Sequence, residues 1–250
     1  MKKFFLSLAA IAFMFAACDP KTPDNPDNPD NPDDPDPVEE VDPIVIDGEF
    51  DDWAKLDQAS VATAKNNADS PWTAVKQMRV YATEAYVYYF IEFDNTEVKE
   101  QLSAWDEAHP GLPMRININI DGEFTSGYAK YSLDAYDYII EGSLAEKGEW
   151  TSFDGTLHQR FDGDWVELLK EGSGMCVGAG AGNKYEIALD RQVFDRVQKK
   201  CDPQAIGNVF HTGLRFYTHD WGELSNLPNS SISEGNGDGW GHLLEVTTVK

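Results

Sequence analysis

Residues 86–93 constrain the fold more than any other part of this chain. They are Tyr-Val-Tyr-Tyr-Phe-Ile-Glu-Phe, and aromatic and β-branched side chains of this kind favour strands. Because successive side chains of a strand point to opposite faces, this run is apolar on both faces over most of its length. Such a strand must be covered on both sides, so the run predicts a central strand in a two-layer structure.

Further segments have the composition or alternation of strands. Residues 75–82 form a second β-rich run, and the short link between this run and the first indicates a hairpin. Residues 114–120 alternate isoleucines with Arg115, Asn117 and Asn119, which predicts a strand buried on one face. Shorter strands are predicted at residues 136–140, where Glu141-Gly142 ends the strand, and at 156–161, 175–177, 184–189, 209–218 and 242–249.

The remaining segments complete the predicted architecture. Residues 97–109 have apolar side chains at helical spacing, and residues 190–200 form a second short helix that Asp190 caps. Residues 144–182 are glycine-rich and mostly irregular, and residues 220–241 form a long polar loop. Together these elements predict an all-β fold, a two-layer antiparallel β-sandwich that is jelly-roll-like, with residues 43–250 as a single domain.

The first 42 residues have a different character. Residues 1–18 combine two lysines, an apolar stretch and a final Ala-Ala-Cys, which resembles a bacterial lipoprotein signal peptide that leaves Cys18 as a lipidated N-terminus. Ordinary signal cleavage is the alternative. Residues 19–42 repeat Pro-Asp-Asn, which predicts an extended, disordered stalk. We expect an exported protein attached to the outer membrane by an N-terminal lipid only.

The charge of the chain limits its partners. The net charge is −24, and residues 43–250 alone hold 34 acidic and 17 basic residues. This excess repels phosphate groups, which excludes nucleic acid as a partner and argues against anionic polymers in general. Neutral ligands and cations remain compatible with such a chain, whose body we expect to be monomeric.

Four motifs occur in an order that resembles a known family. They are I-D-G-E-F-D-D-W-A (46–54), Y-V-Y-Y-F-I-E-F-D (86–94), K-Y-E-I-A-L-D-R (184–191) and G-H-L-L-E-V (241–246). In this order they resemble the family-9-type carbohydrate-binding modules and the related DOMON-like sandwiches. The resemblance implies a β-sandwich that holds a sugar between aromatic rings, and in some members a structural calcium ion.

Tryptophans in polar loops are the candidate sugar-binding residues. A sugar offers C–H faces to flat apolar rings and hydroxyls to polar side chains. Trp72 follows Ser-Pro in one polar loop, and Trp221 follows His-Asp in another, so these two are predicted to contact the carbohydrate. Of the other tryptophans, Trp53, Trp105 and Trp240 are predicted to pack, and either role fits Trp150 and Trp165.

Two further sites are predicted from acidic and cysteine residues. Calcium prefers several carboxylate and carbonyl oxygens at turns, and four acids at neighbouring strand ends form a candidate calcium site: Asp121, Glu123, Asp137 and Glu141. The alternative is that they are solvated turn acids. Cys176 and Cys201 form a candidate disulfide in an oxidising compartment, and a buried thiol at Cys176 is the alternative.

The expected function is non-catalytic. The chain contains no hydrolase, metalloprotease or phosphate-binding motif, so no catalytic residue is assigned. We expect a cell-surface lipoprotein that binds a polysaccharide or oligosaccharide through loop tryptophans, with calcium as the one candidate cofactor. A glycoside hydrolase or lyase accessory enzyme is one alternative, because paired carboxylates need only meet in space. A surface adhesion or assembly module is another.

Overall fold

Antiparallel strands dominate the computed structural model, which describes residues 42–67, 72–96, 98, 111–129, 135–193, 197, 205–218, 220–229 and 243–250. The described ranges lie in one compact unit that extends from Asp42 to Lys250. Predictions for Cys18, the stalk up to residue 41, Trp105, Trp240, Cys201 and most of both predicted short helices (97–109 and 190–200) fall outside the described residues.

The described elements are short helices at the start followed by strands. Helix α1 spans Asp52–Lys55 and a 3-10 turn spans Gln58–Ser60. The strands in chain order are β1 (Ala62–Lys65), β2 (Val75–Ala82), β3 (Tyr86–Phe93), β4 (Gly111–Asn119), β5 (Tyr138–Glu146), β6 (Glu149–Trp150), β7 (Thr156–Phe161), β8 (Asp164–Leu169), β9 (Cys176–Ala181), β10 (Lys184–Asp190), β11 (Val209–Tyr217), β12 (Glu223–Leu227) and β13 (Leu244–Thr247). None of the helices in these ranges is long and apolar enough to cross a membrane.

The strands form two sheets. The five-stranded sheet has the order β1-β2-β3-β10-β9. The eight-stranded sheet has the order β12-β11-β4-β5-β7-β8, with β13 paired to β11 and β6 paired to β5. The pairings are antiparallel. The predicted all-β sandwich is confirmed.

The main core lies between the sheets. Alternate residues of β3, β4 and β10 point into it, among them Tyr89, Ile116 and Ile187, all fully buried. The other face of β3 is also covered, because Tyr88 and Phe90 pack with Ile44 and Trp53 in a second cluster. The N-terminal segment (44–56) therefore covers the outer face of the five-stranded sheet. The prediction that β3 is buried on both faces is confirmed.

Several strands agree with prediction, and the exceptions have physical reasons. Strands β2, β3 and β7 have the predicted bounds, but Glu141-Gly142 does not end β5. A Cβ atom at Gly142 would lie 2.8 Å from the Asp154 carbonyl oxygen and 2.9 Å from the Phe153 ring. The glycine permits close packing within a continuous strand. The segments predicted as loops at 144–182 and 220–241 also contain β6, β8 and β12.

Candidate functional site

The outer face of the eight-stranded sheet presents charged and aromatic side chains. Met114 and Ile116 point into the core, so Arg115 between them points outward. The same alternation turns Glu141 of β5 and Arg215 of β11 outward. The strand register places Arg115 opposite Arg215 on one side and opposite Glu141 on the other.

Arg115 connects β4 to the neighbouring strands β5 and β11 through polar side-chain contacts. Its Nε donates a 2.5 Å hydrogen bond to Glu141 Oε2, and its Nη1 donates a 3.3 Å bond to the Tyr217 hydroxyl. Burial lowers the pKa of Arg115, but the contacts with Tyr217 and Glu141 outweigh it, so the pKa rises overall. Two arginines directly opposite each other repel, and Glu141 offsets that repulsion.

A group of three aromatic rings lies at one end of the face. The Tyr136 and Trp165 rings are stacked, with centroids 5.9 Å apart and an interplanar angle of 21°. Tyr128 packs on both, at 5.3 Å from Tyr136 and 5.9 Å from Trp165. Burial raises the pKa of Tyr136 to about 12, so its hydroxyl stays neutral. The guanidinium of Arg215 lies 5.3 Å from the Tyr136 ring.

A second pair of rings lies on the other side of Arg115. The rings of Tyr217 and Trp221 are 5.4 Å apart, and the Arg115 guanidinium carbon is 4.9 Å from the centroid of each. Cation–π contacts of this kind keep both the charge and the rings in place. Tyr217 is buried, whereas Trp221 is 44% exposed, so Trp221 presents an aromatic surface to solvent.

These side chains enclose a cavity that we name the aromatic pocket. Its volume is about 420 Å³, within the range of small-molecule sites in proteins. The lining residues are Arg115, Tyr128, Tyr136, Ile139, Glu141, His158, Trp165, Arg215, Tyr217 and Glu223. The lining arginines and glutamates are equal in number, and the Arg160 guanidinium adds a positive charge 5.5 Å from the Trp165 ring. The pocket therefore has no excess of negative charge on a strongly acidic chain.

Two buried polar atoms beside Ile139 on this face have no hydrogen-bond partner among the described residues. They are His158 Nδ1 and Asn117 Oδ1. The register places Ile139 between these two residues, opposite His158 on β7 and opposite Asn117 on β4. Buried polar atoms normally have a partner, so this part of the face is suited to polar contact with a ligand or water.

The structure separates the two predicted sugar-binding tryptophans. Trp221 packs on Arg115 and Tyr217, two residues that line the aromatic pocket. Trp72 instead packs on the main core, with its ring 5.4 Å from Phe216 and 6.4 Å from Phe93. It is half-buried between residues of both sheets, and the Ser-Pro pair that suggested exposure lies outside the described residues. Trp72 is therefore placed as a packing residue, like Trp53, which is 1% exposed.

The four acids of the candidate calcium site do not form one cluster. Asp121 accepts a hydrogen bond from the Glu123 amide, and Asp137 accepts from the Ile120 amide. Burial raises the pKa of Asp137, and the Asp121 charge raises it further. Glu141 lies further along β5 and pairs with Arg115. No three acidic, histidine or cysteine side chains among the described residues could together hold a metal ion, and calcium binding stays a prediction.

The candidate disulfide also stays a prediction. Cys176 is buried, and burial raises the pKa of its thiol to about 12. A thiol with that pKa is unreactive at neutral pH. Cys201 lies outside the described residues, so the structure does not test the pairing.

Sequence reasoning missed most of the pocket. The alternation of residues 114–120 did point Arg115 away from the core, and Trp165 was open to either role. The meeting of Tyr136, Trp165 and Arg215 depends on strand register, which no local pattern shows.

No family model and no curated protein matches this chain. The site is therefore defined by its own geometry, namely paired charges between two groups of aromatic rings on the outer face of the eight-stranded sheet.

Proposed function

We propose that this protein binds a carbohydrate, without catalysis, on the outer face of its eight-stranded sheet. The single observation that supports this is the aromatic pocket, where stacked rings adjoin a hydrogen-bonded Arg115–Glu141 pair. Flat rings suit the C–H faces of a sugar, and charged side chains with fixed geometry suit its hydroxyls.

The charges of the pocket favour a neutral ligand. Arg115 and Arg215 are balanced by Glu141 and Glu223, and the rest of the chain is strongly acidic. A highly charged ligand would meet no matching excess of charge there. A sugar ring with uncharged substituents satisfies both the rings and the polar groups.

The N-terminal sequence suggests where this binding takes place. A lipid on Cys18 and an acidic stalk would present the sandwich at the outer membrane of a bacterium. We include this anchored location in the proposal, together with a monomeric body that uses no nucleic acid or protein partner.

The test is a glycan screen of the purified protein, followed by titration of the polysaccharide that binds. Trp165→Ala is expected to raise Kd at least about tenfold, which corresponds to about 1.4 kcal/mol, because it removes the stacked ring. Tyr86→Ala is the matched control, since Tyr86 is an aromatic residue on the outer face of the other sheet, and it should leave Kd unchanged.

Several results would overturn the proposal. They are a screen in which no glycan binds, an unchanged Kd for a folded Trp165→Ala protein, or turnover of the bound polysaccharide. The melting temperature of each variant shows whether it is folded. Capture of a protein partner without glycan affinity would instead support an adhesion module.

A further inference from the structure

A second cavity adjoins the aromatic pocket, and we name it the acidic pocket. Its volume is about 330 Å³, and Pro113, Ser143, Glu146 and Trp221 are among the residues that line it. Glu141 lines both cavities. The two cavities therefore meet at one carboxylate in the middle of the face.

Strand β5 runs along both cavities. Ile139 lines the aromatic pocket, Glu141 lies at the junction, and Ser143 and Glu146 line the acidic pocket. At about 3.3 Å per residue, the path from Ile139 to Glu146 is roughly 23 Å long. The combined site is thus a groove parallel to the strand and much longer than a single sugar ring.

Trp221 lies at the junction of the two cavities. Its ring borders the acidic pocket and is 4.9 Å from the guanidinium carbon of Arg115, which lines the aromatic pocket. Its backbone has a φ of 64°, a conformation that residues with a Cβ atom rarely adopt. Strain of this kind persists where the surrounding structure holds a side chain in a particular place.

The turn around Trp221 explains how that conformation is held. The Thr218 amide donates a 2.7 Å hydrogen bond to the Gly222 carbonyl oxygen, and the Trp221 amide donates a 2.9 Å bond to the Thr218 carbonyl oxygen. The Gly222 amide donates a 2.9 Å bond to the Thr218 hydroxyl. These bonds fix the exposed ring at the junction.

Charge differs between the two halves of the groove. The aromatic pocket has as many arginines as glutamates, whereas the residues described as lining the acidic pocket include no lysine or arginine. Its acids are Glu141, Glu146, Asp154 and Glu171. Asp154 Oδ1 is buried without a hydrogen-bond partner among the described residues. A sugar with a carboxylate or sulfate would be repelled from this half.

We propose that the groove binds a linear oligosaccharide lengthwise, with neutral or amino-substituted sugars in the acidic half and Trp221 between two subsites. This inference rests on the proposed function and names its ligand class. The proposal predicts that affinity depends on the length of the oligosaccharide, because a ligand contacts both cavities only when it extends past Glu141.

The experiment measures affinity as a function of chain length by calorimetry. The probes are the disaccharide, tetrasaccharide and hexasaccharide of the polysaccharide that binds in the screen described above. The hexasaccharide is expected to bind at least about tenfold more tightly than the disaccharide, since it fills both cavities. Trp221→Gly should lower this ratio severalfold, and Tyr86→Ala should leave it unchanged.

The possible failures of the two proposals are distinct. If no polysaccharide binds, the proposed function is wrong. If a polysaccharide binds but the disaccharide and hexasaccharide have equal Kd values, or Trp221→Gly leaves their ratio unchanged, the two-subsite groove is wrong. If the polysaccharide that binds is built from uronic acids or sulfated sugars, the charge assignment of the acidic pocket is wrong.

Discussion

Glu186 is the residue at which two distant motifs meet. Its Oε1 accepts hydrogen bonds from the Asp47 and Gly48 amides, at 3.1 and 2.9 Å, and its Oε2 accepts a 3.2 Å bond from the Trp53 indole. Gly48 has a φ of 83°, which glycine adopts without a steric cost. The opening motif, I-D-G-E-F-D-D-W-A (46–54), is thereby joined to K-Y-E-I-A-L-D-R by a buried carboxylate. Neither motif reveals this long-range contact alone.

Replacement of Glu186 by glutamine tests this contact. In Glu186→Gln the amide nitrogen faces the Trp53 indole N–H, so two donors meet, and we expect a loss of about 1–3 kcal/mol in the free energy of unfolding. Chemical denaturation measures it. Glu49→Gln, an exposed carboxylate of the same motif, is the control and should cost almost nothing.

The cost of Glu186→Gln should also depend on pH. Burial raises the pKa of Glu186 above its ordinary value of 4.5. Between the pKa of the unfolded protein and that of the folded protein, the Glu186 carboxyl group is therefore still protonated in the folded protein but ionised in the unfolded one. The contribution of Glu186 to stability therefore falls as pH rises through this window. We expect the substitution to cost more at about pH 5 than at about pH 7. The opposite trend would show that the carboxylate is stabilised in its charged form.

Arg191 has a similar linking role at the end of the same motif. Its guanidinium donates hydrogen bonds to the carbonyl oxygens of Thr83, Ile206 and Gly207 and to the Thr248 hydroxyl. The residue is 9% exposed. One buried arginine thus joins the β2–β3 turn to the segment before β11 and to the residue after β13. These contacts account for the position of an arginine directly after a strand.

At the scale of elements, composition and periodicity together predicted the strands that are most deeply buried. The bounds of β2 and β3 follow from their own composition, because both are rich in the aromatic and β-branched side chains that favour strands. Strands β8 and β12 were missed. Most of their side chains are half-buried or exposed, so their sequences carry little alternation, and pairing with a neighbouring strand determines their conformation.

The candidate site was predictable only where one residue is informative by itself. Trp221 could be found because a tryptophan in a polar loop is unusual. The stack of Tyr136 on Trp165 could not, because these residues belong to different hairpins and meet through the pairing of β5 with β7 and β7 with β8. Register of this kind is a property of the folded sheet.

The β11–β12 turn provides a prediction about stability. Trp221→Gly and Trp221→Ala both remove the exposed ring, but only glycine relieves the backbone at a positive φ. We expect the glycine variant to be more stable than the alanine variant by about 1 kcal/mol, as measured by chemical denaturation. Equal stability of the two variants would show that the turn relaxes and that the ring is not held in place.

At the scale of the whole molecule, the net charge of −24 makes stability sensitive to salt. Sodium chloride should raise the melting temperature by screening repulsion between carboxylates. The calcium hypothesis predicts a larger rise with calcium chloride at equal ionic strength, and Asp137→Asn should abolish the difference. Equal rises in the two salts, or no fall on addition of EDTA, would contradict it.

The two outer faces of the sandwich differ in structure. The N-terminal segment covers one face through Trp53 and Phe50, and the other holds both cavities. The opening motif and Glu186 of K-Y-E-I-A-L-D-R therefore form the covered side, away from the proposed ligand. These motifs describe how the outer face of one sheet is covered. We therefore expect proteins that share them to bind unrelated ligands. A grouping by specificity would instead compare the outward positions 115, 141, 165 and 221.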